Sequence, residues 1–477
     1  MKKHEHLWID GGWRVAGGGT DLPVTDSYTG EVFASYRCAS TADVDTAVQA
    51  ARAAFEGWSA TPLEERIAAV RRVAAALRER SDAIARVISR EVGMPGKLSA
   101  RIQAGAPIAA WDLYADLAGQ LEWETRIAHS LVQQVPVGVV ACITPWNYPL
   151  HQVTGKVAPA LLAGCTVVLK PSELAPSSAF LLAEAVQAAG LPAGVFNLVH
   201  GGGPDVGEAL VTHPEVDMVS FTGSTRAGRR IAALAAQDIK RVALELGGKS
   251  AAVVLPGADL NLAVKATLAS CFLNSGQTCS ATTRLLVPRE QAAQAAHLAG
   301  ELAASWAMGD PADPATRLGP LVSAAQREKV RGMVDAAIAA GARRATGELA
   351  LPPHGFFFPP TVLHEVTPQM AIAREEVFGP VLVVLAYDSV DEAVAIANGT
   401  DYGLAATVWA ATPAAALPVA RRLRAGQVDV NGAPFNPRAP FGGFKRSGLG
   451  RENGRFGIEE FLEPVSLQLP PAYFETP

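Results

Sequence analysis

Between residues 137 and 246, short β-branched runs (137–143, 166–170, 195–199, 216–221 and 241–246) alternate with segments of helical spacing. That alternation is the pattern of a parallel sheet wound in βα units. A second series follows, with strands at 251–255, 285–287, 381–387, 405–409 and 427–430 and helices near 259–274, 289–304, 323–340, 389–398 and 413–424. A chain of 477 residues is too long for one simple core. Two α/β domains are therefore expected, joined near Gly247-Gly248, where two glycines let the backbone turn. Ahead of them lie a Gly-rich opening of short strand-like pieces and a helical region over 41–118. Within that region Thr61-Pro62-Leu63-Glu64 reads as an N-cap, a first-turn proline and a capping-box glutamate. It should start one long amphipathic helix that runs through Glu91 and stops at Gly93 and Pro95.

The bulk numbers narrow the function classes. A net charge of −5 from 41 basic and 46 acidic residues, with no basic cluster, gives no footprint for nucleic acid or anionic lipid. The expected partner is a small molecule, and Arg421-Arg422-Leu423-Arg424 reads as the solvated end of a helix. Five cysteines (38, 142, 165, 271 and 279) form no C-x-x-C pair and no even disulfide framework, which suits a reducing compartment. None of the nine histidines pairs with another at ligand spacing, so no metal site is expected. The first residues lack the apolar stretch of a signal peptide, and no apolar run approaches the roughly 20 residues that span a bilayer. The chain reads as a soluble cytoplasmic protein.

Two residues stand out chemically. Cys279 sits in Gly276-Gln277-Thr278-Cys279, a polar turn of small residues where a sulfur can meet a substrate. Glu245 puts a carboxylate at an apolar strand end, where a charge is costly unless it is used. Two other strand ends suit a phosphate-bearing ligand. In Phe221-Thr222-Gly223-Ser224-Thr225, Gly223 permits close approach and Ser224 can cap a helix while donating to a phosphate. In Lys170-Pro171-Ser172-Glu173, Lys170 and Glu173 can both reach a ribose, and a carboxylate there favours a 2′-hydroxyl over a 2′-phosphate. On these residues alone a buried inert thiol, a plain helix cap and a solvated Lys/Glu pair remain open. Gly201-Gly202-Gly203-Pro204-Asp205-Val206-Gly207 misses the dinucleotide fingerprint because its last glycine falls one place late.

Taken together, Thr144-Pro145-Trp146-Asn147-Tyr148-Pro149, Lys170 to Glu173, Phe221 to Thr225, Leu244-Glu245-Leu246-Gly247-Gly248-Lys249, Gly276 to Cys279, Glu375-Glu376-Val377-Phe378-Gly379-Pro380 and Pro440-Phe441-Gly442-Gly443-Phe444-Lys445 resemble the NAD(P)-dependent aldehyde dehydrogenase superfamily. They occur in that family's order from about residue 7 to 465. The resemblance implies a Rossmann-like cofactor domain (1–118 and 137–247), a catalytic domain (248–446) and a small β oligomerisation element (119–136 and 447–477) that makes a homodimer or homotetramer. It implies oxidation of an aldehyde to the carboxylic acid with NAD, NADP being possible. By the same resemblance Cys279 is the nucleophile, Glu245 the general base, Asn147 the oxyanion donor, and Lys156 lies near the proton path. Lys170 and Glu173 would hold the adenosine ribose, Ser224 the pyrophosphate and Glu376 the nicotinamide ribose. Thr222 and Phe378 would flank the nicotinamide ring, and Trp146, Ser172, Gly223 and Leu246 complete the cofactor set.

The substrate pocket is expected from Tyr148, Gln152, Leu273, Thr278, Ser280 and Phe435. Gly155 hints at room for a bulky substrate, and Arg438 at a contact with a substrate carboxylate. The thiol, ordinarily near about 8.5, should be lowered by donors or positive charge, with the oxidised nicotinamide as one source. A glutamate at 245 favours hydrolysis over acyl transfer to coenzyme A. Two rival readings are a cofactor-independent cysteine esterase and a non-catalytic binding protein on the same fold. The esterase gives no work to Lys170, Glu173, Ser224 or Glu376, and the non-catalytic protein predicts loss of the reactive cysteine, which is present.

Overall fold

The computed structural model describes residues 2–470 and Tyr473. The remaining positions of the expected first domain and tail (1, 471, 472 and 474–477) lie outside the described residues. The chain is α/β, and its described residues form an eight-stranded and a seven-stranded sheet and two small three-stranded ones.

In the eight-stranded sheet five parallel strands lie in the order Arg241–Glu245, Met218–Thr222, Val139–Ile143, Thr166–Lys170, Phe196–Leu198. The β-branched runs become buried strands because helices cover both faces, one face packing with 41–59 and the other with 63–118 and 149–163. The antiparallel strands His6–Ile9 and Gly12–Val15 extend one side, and Gly448–Leu449 pairs with Arg241–Glu245 on the other. The seven-stranded sheet runs Arg343–Arg344, Thr361–His364, Val381–Tyr387, Thr282–Pro288, Ser250–Val254, Ala405–Trp409, Gln427–Val430. All its pairs are parallel except the first. Gly247-Gly248 links the two sheets. In one small sheet the hairpin Glu124–Ile127 and Ser130–Pro136 pairs with the tail strand Leu462–Gln468.

Three elements differ from the sequence expectation. The long helix over 63–92 is two, Leu63–Glu79 and Ser81–Val92, broken where Arg80 leaves helical geometry (φ −102°, ψ 3°). Its capping box is not made either. The Thr61 hydroxyl donates to the Gly57 carbonyl at 2.9 Å, closing the helix before it, and Pro62 occupies the N-cap. The strand expected at 285–287 begins at Thr282, because the Arg284 guanidinium is satisfied by the carbonyls of Lys249, Ile396 and Ala397 and so tolerates burial. The helix expected to reach 424 carries Pro418 within it and ends at Ala420. No helix among the described residues is long and apolar enough to cross a membrane.

Candidate active site

The strand Val139–Ile143 lies between the strand that follows it and Met218–Thr222, so the connections diverge there and leave a crevice beyond the carboxyl ends. Ser224 caps the helix Thr225–Ala235 there by accepting from the Ala227 N–H at 3.2 Å. The first-turn N–H groups of that helix present a positive end to the crevice. Thr222 Oγ1 is buried with no partner, and Gly223 is required because a Cβ would come within 2.4 Å of the Phe221 ring.

Lys170 Nζ donates to the carbonyls of Pro171 and Gly201, both at 2.9 Å, and lies 3.8 Å from Glu173. Burial lowers its pKa, against the opposing pull of Glu173. Ser172 Oγ is committed to a turn, accepting from the Leu174 N–H at 3.2 Å. Leu246 packs over Gly228, where a Cβ would come within 2.5 Å of it. Trp146 and Phe378 meet edge to face at 5.4 Å. The Glu376 carboxylate accepts from the Gly248 N–H at 3.1 Å and fills the space over Gly247, where a Cβ would lie 2.4 Å from Oε2.

The cysteine loop follows the helix Leu260–Phe272 through a turn in which Asn274, Ser275 and Gly276 all have positive φ. Glycine is needed at 276, where a Cβ would lie 2.1 Å from the Gly379 carbonyl. Gln277 pins the loop: its Oε1 accepts from the Val322 N–H at 2.9 Å and its Nε2 donates to the Asn274 carbonyl at 3.0 Å. Asn147 ties this loop to the crevice. Its Nδ2 donates to the Gln277 carbonyl at 3.0 Å, while its own carbonyl accepts from Gln103 and Asn274. Tyr148 and Thr278 hydroxyls meet at 2.7 Å.

Glu245 ends its strand buried, with neither carboxylate oxygen hydrogen-bonded. Gly442 closes over it, a Cβ there being 2.6 Å from Oε1. Burial, then the neighbouring Glu452 charge, raises its pKa well above the usual carboxylate range, opposed by Lys156 and Arg451. Glu452 itself is ion-paired with the buried Lys156. Burial pushes the Cys279 thiol up to about 12, with the Glu376 and Glu245 charges adding to it. The expected lowering is therefore not a property of the protein alone, because the charges facing this sulfur are negative.

Cys279 opens onto a cavity of about 850 Å³. Tyr148, Gln152, Leu273, Thr278, Ser280 and Phe435 all line it. Gly155 and Arg438 do not. Gly155 accommodates the Glu452 carboxylate, 3.4 Å from where its Cβ would be, and so does not enlarge the cavity. Arg438 lies on an exposed loop whose backbone N–H bonds Asn436. Sequence reasoning missed Glu452, although an acid between two glycines (Gly450 and Gly454) near a motif was a signal. It also gave no role to Gln277, inside Gly276-Gln277-Thr278-Cys279, or to Asn274 just before it.

Residues 13–467 match the model of the Aldehyde dehydrogenase family. A 3-succinoylsemialdehyde-pyridine dehydrogenase from Pseudomonas sp is 44% identical over 97% of this chain and 98% of that protein. A mutant of aldehyde dehydrogenase C from Pseudomonas syringae, solved with NAD+ and octanal, is 46% identical with a TM-score of 0.96, covering 97% of this chain and 96% of that one. A Mycobacterium tuberculosis aldehyde dehydrogenase solved with NAD+ is 39% identical with a TM-score of 0.96, covering 99% of both chains.

Proposed function

This chain belongs to the aldehyde dehydrogenase family and is an NAD-dependent enzyme that oxidises an aldehyde, and from that premise we propose that Cys279 carries the substrate carbon while Glu245 brings about its release by hydrolysis. The observation that carries this reading is a buried, unpartnered carboxylate bearing electrostatically on a thiol that faces a large cavity. A carboxylate kept without hydrogen bonds is costly for the fold, and a proton-accepting role accounts for it.

Removing hydride from a free carbonyl would leave an acylium ion, so the carbon must first become tetrahedral. The Cys279 thiol gives its proton to Glu245, and the thiolate adds to the aldehyde carbon, its electron pair forming the C–S bond as the carbonyl π pair moves to oxygen to give a thiohemiacetal oxyanion. Asn147 Nδ2 and the Cys279 backbone N–H stabilise that oxygen, and a donor of this kind contributes about 3–4 kcal/mol. Asn147 then exchanges its bond to the Gln277 carbonyl for one to the oxyanion. NAD+, when bound, would supply the hydride acceptor and a positive charge.

Lys170 and Glu173 would hold its adenosine ribose, Glu173 favouring NAD over NADP. The Ser224-capped helix would take the pyrophosphate, and Glu376 the second ribose, beside Thr222, Trp146 and Phe378. After oxidation the acyl group is a thioester on Cys279. Glu245 takes a proton from the attacking water, and the sulfur leaves as the thiolate. Glu452, adjacent and paired with Lys156, is the acceptor through which that proton moves on.

In the test, enzyme given NAD+ and aldehyde and quenched during turnover should carry an acyl mass on Cys279. Glu245→Gln should accumulate that adduct after one burst of reduced cofactor. No adduct, or undiminished turnover in Cys279→Ala, would overturn the mechanism. Undiminished ester cleavage without cofactor, and no aldehyde oxidation, would favour the esterase reading.

The relatives named for 3-succinoylsemialdehyde-pyridine and solved with octanal support a substrate of that size. We take the eight-stranded sheet with its helices as the cofactor domain, the seven-stranded sheet as the catalytic domain, and the hairpin with the tail strand as the oligomerisation element of a dimer or tetramer. Five free cysteines are consistent with a reducing cytoplasm.

A further inference from the structure

The far wall of the Cys279 cavity is built by the edge strand Gln427–Val430 and its parallel neighbour Ala405–Trp409, with Asp429 opposite Thr407. Side chains alternate across a strand. Val428 and Val430 pack into one core, so Gln427 and Asp429 face the other side, into the cavity. The Gln427 amide donates to Asp429 Oδ1 at 2.9 Å, leaving the rest of the carboxylate's hydrogen-bonding capacity unused. Trp409, on the same pair of strands, lines the cavity with its ring, while its Nε1 is buried.

Among the described residues that line the cavity none is a lysine or arginine, and the acids are Asp429 and Glu452. Much of the rest is apolar, with Leu113, Leu273 and Phe441 among the lining. A carboxylate in such a cavity would lose its hydration and meet Asp429, the acid that has no cation beside it, since Glu452 is paired with Lys156. A chain ending in a hydroxyl would donate to the Asp429 carboxylate.

Building on the family-level reading, we propose that Asp429 is a specificity-determining residue that accepts a hydrogen bond from a donor at the far end of the aldehyde and excludes aldehydes ending in a carboxylate. The reaction supplying the substrate would then be one that makes an aldehyde from an alcohol or amine without leaving an acid on the same carbon chain.

The test compares an unbranched aliphatic aldehyde, its ω-hydroxy analogue and its ω-carboxylate analogue, all of one chain length, by kcat/KM. In the unaltered enzyme the hydroxy compound should be used at least as well as the plain aldehyde, and the carboxylate about 100-fold less well. Asp429→Asn should lower kcat/KM for the hydroxy compound and raise it for the carboxylate, about tenfold each, through KM, with the plain aldehyde unchanged. Asp429→Lys should raise the carboxylate further. Equal use of the carboxylate, or the same change for all three in Asp429→Asn, would overturn the proposal. Failure to oxidise any of the three with NAD+ would instead overturn the reading on which it rests.

Discussion

At the level of single residues, the site is defined by which charges face which. Glu245 must be ionised to act as a base, so hydrolysis of the thioester should slow as pH falls through its raised pKa. Glu452 raises that pKa and Lys156 lowers it. Glu452→Gln should therefore move the acid limb of the hydrolytic step to lower pH, and Lys156→Met should move it to higher pH. Single-turnover decay of the acyl-enzyme across pH checks this, and a shift of the same sign in both variants would remove the pair from the proton path. Cys279 and Glu245 stand out in the sequence because each is a polar group out of place in its surroundings, whereas the role proposed for Asn147 came only with the family resemblance. Glu452 does not stand out. Its partner Lys156 is 296 positions away, and nothing local distinguishes a functional acid from a solvated one until folding brings the two together.

At the level of elements, glycine sets how closely strands and loops approach the site. The pairing of Gly448–Leu449 with Arg241–Glu245 holds the strand end that carries Glu245. A Cβ at Gly448, where φ is +141°, would lie 1.8 Å from the Leu244 carbonyl oxygen. Gly448→Ala is expected to lower stability by about 2–4 kcal/mol. Gly332 lies in the helix Ala324–Ala339 with nothing within 4 Å of its would-be Cβ. Gly332→Ala should stabilise by about 0.5–1 kcal/mol through helix propensity alone. Thermal unfolding of both variants at one scan rate measures the contrast, and equal midpoints would contradict it. Periodicity told strands from helices where one residue type dominated a face, as in Thr166–Lys170. It failed where a tertiary contact overrode local preference: the Thr61 hydroxyl serves the preceding helix, and the buried Arg284 finds its carbonyls on segments distant in sequence.

For the molecule as a whole, the small sheet formed by the hairpin and the tail strand is the part a single chain leaves least covered. From Glu463 to Gln468 every residue of the tail strand is exposed, on both faces. Val465 and Leu467 share one face, and Ile127 of the hairpin is 60% exposed. A three-stranded antiparallel sheet with so little buried apolar surface has small stability of its own. Its outer strand, like Gln427–Val430 at the margin of the seven-stranded sheet, presents unpaired backbone groups that natural proteins normally cover. Arg241 ties the base of the tail strand to the eight-stranded sheet through the Leu462 carbonyl and Glu463, so a partner bound there would brace the strand that carries Glu245. Light scattering of the full chain should accordingly give a dimer or tetramer, with a melting midpoint that rises with protein concentration. Val465→Asp combined with Leu467→Asp should give monomers, because two charges would enter the covered face, and should lower the midpoint without altering the Cys279 loop. A full chain that runs as a monomer with a concentration-independent midpoint would mean that this sheet stands uncovered in solution.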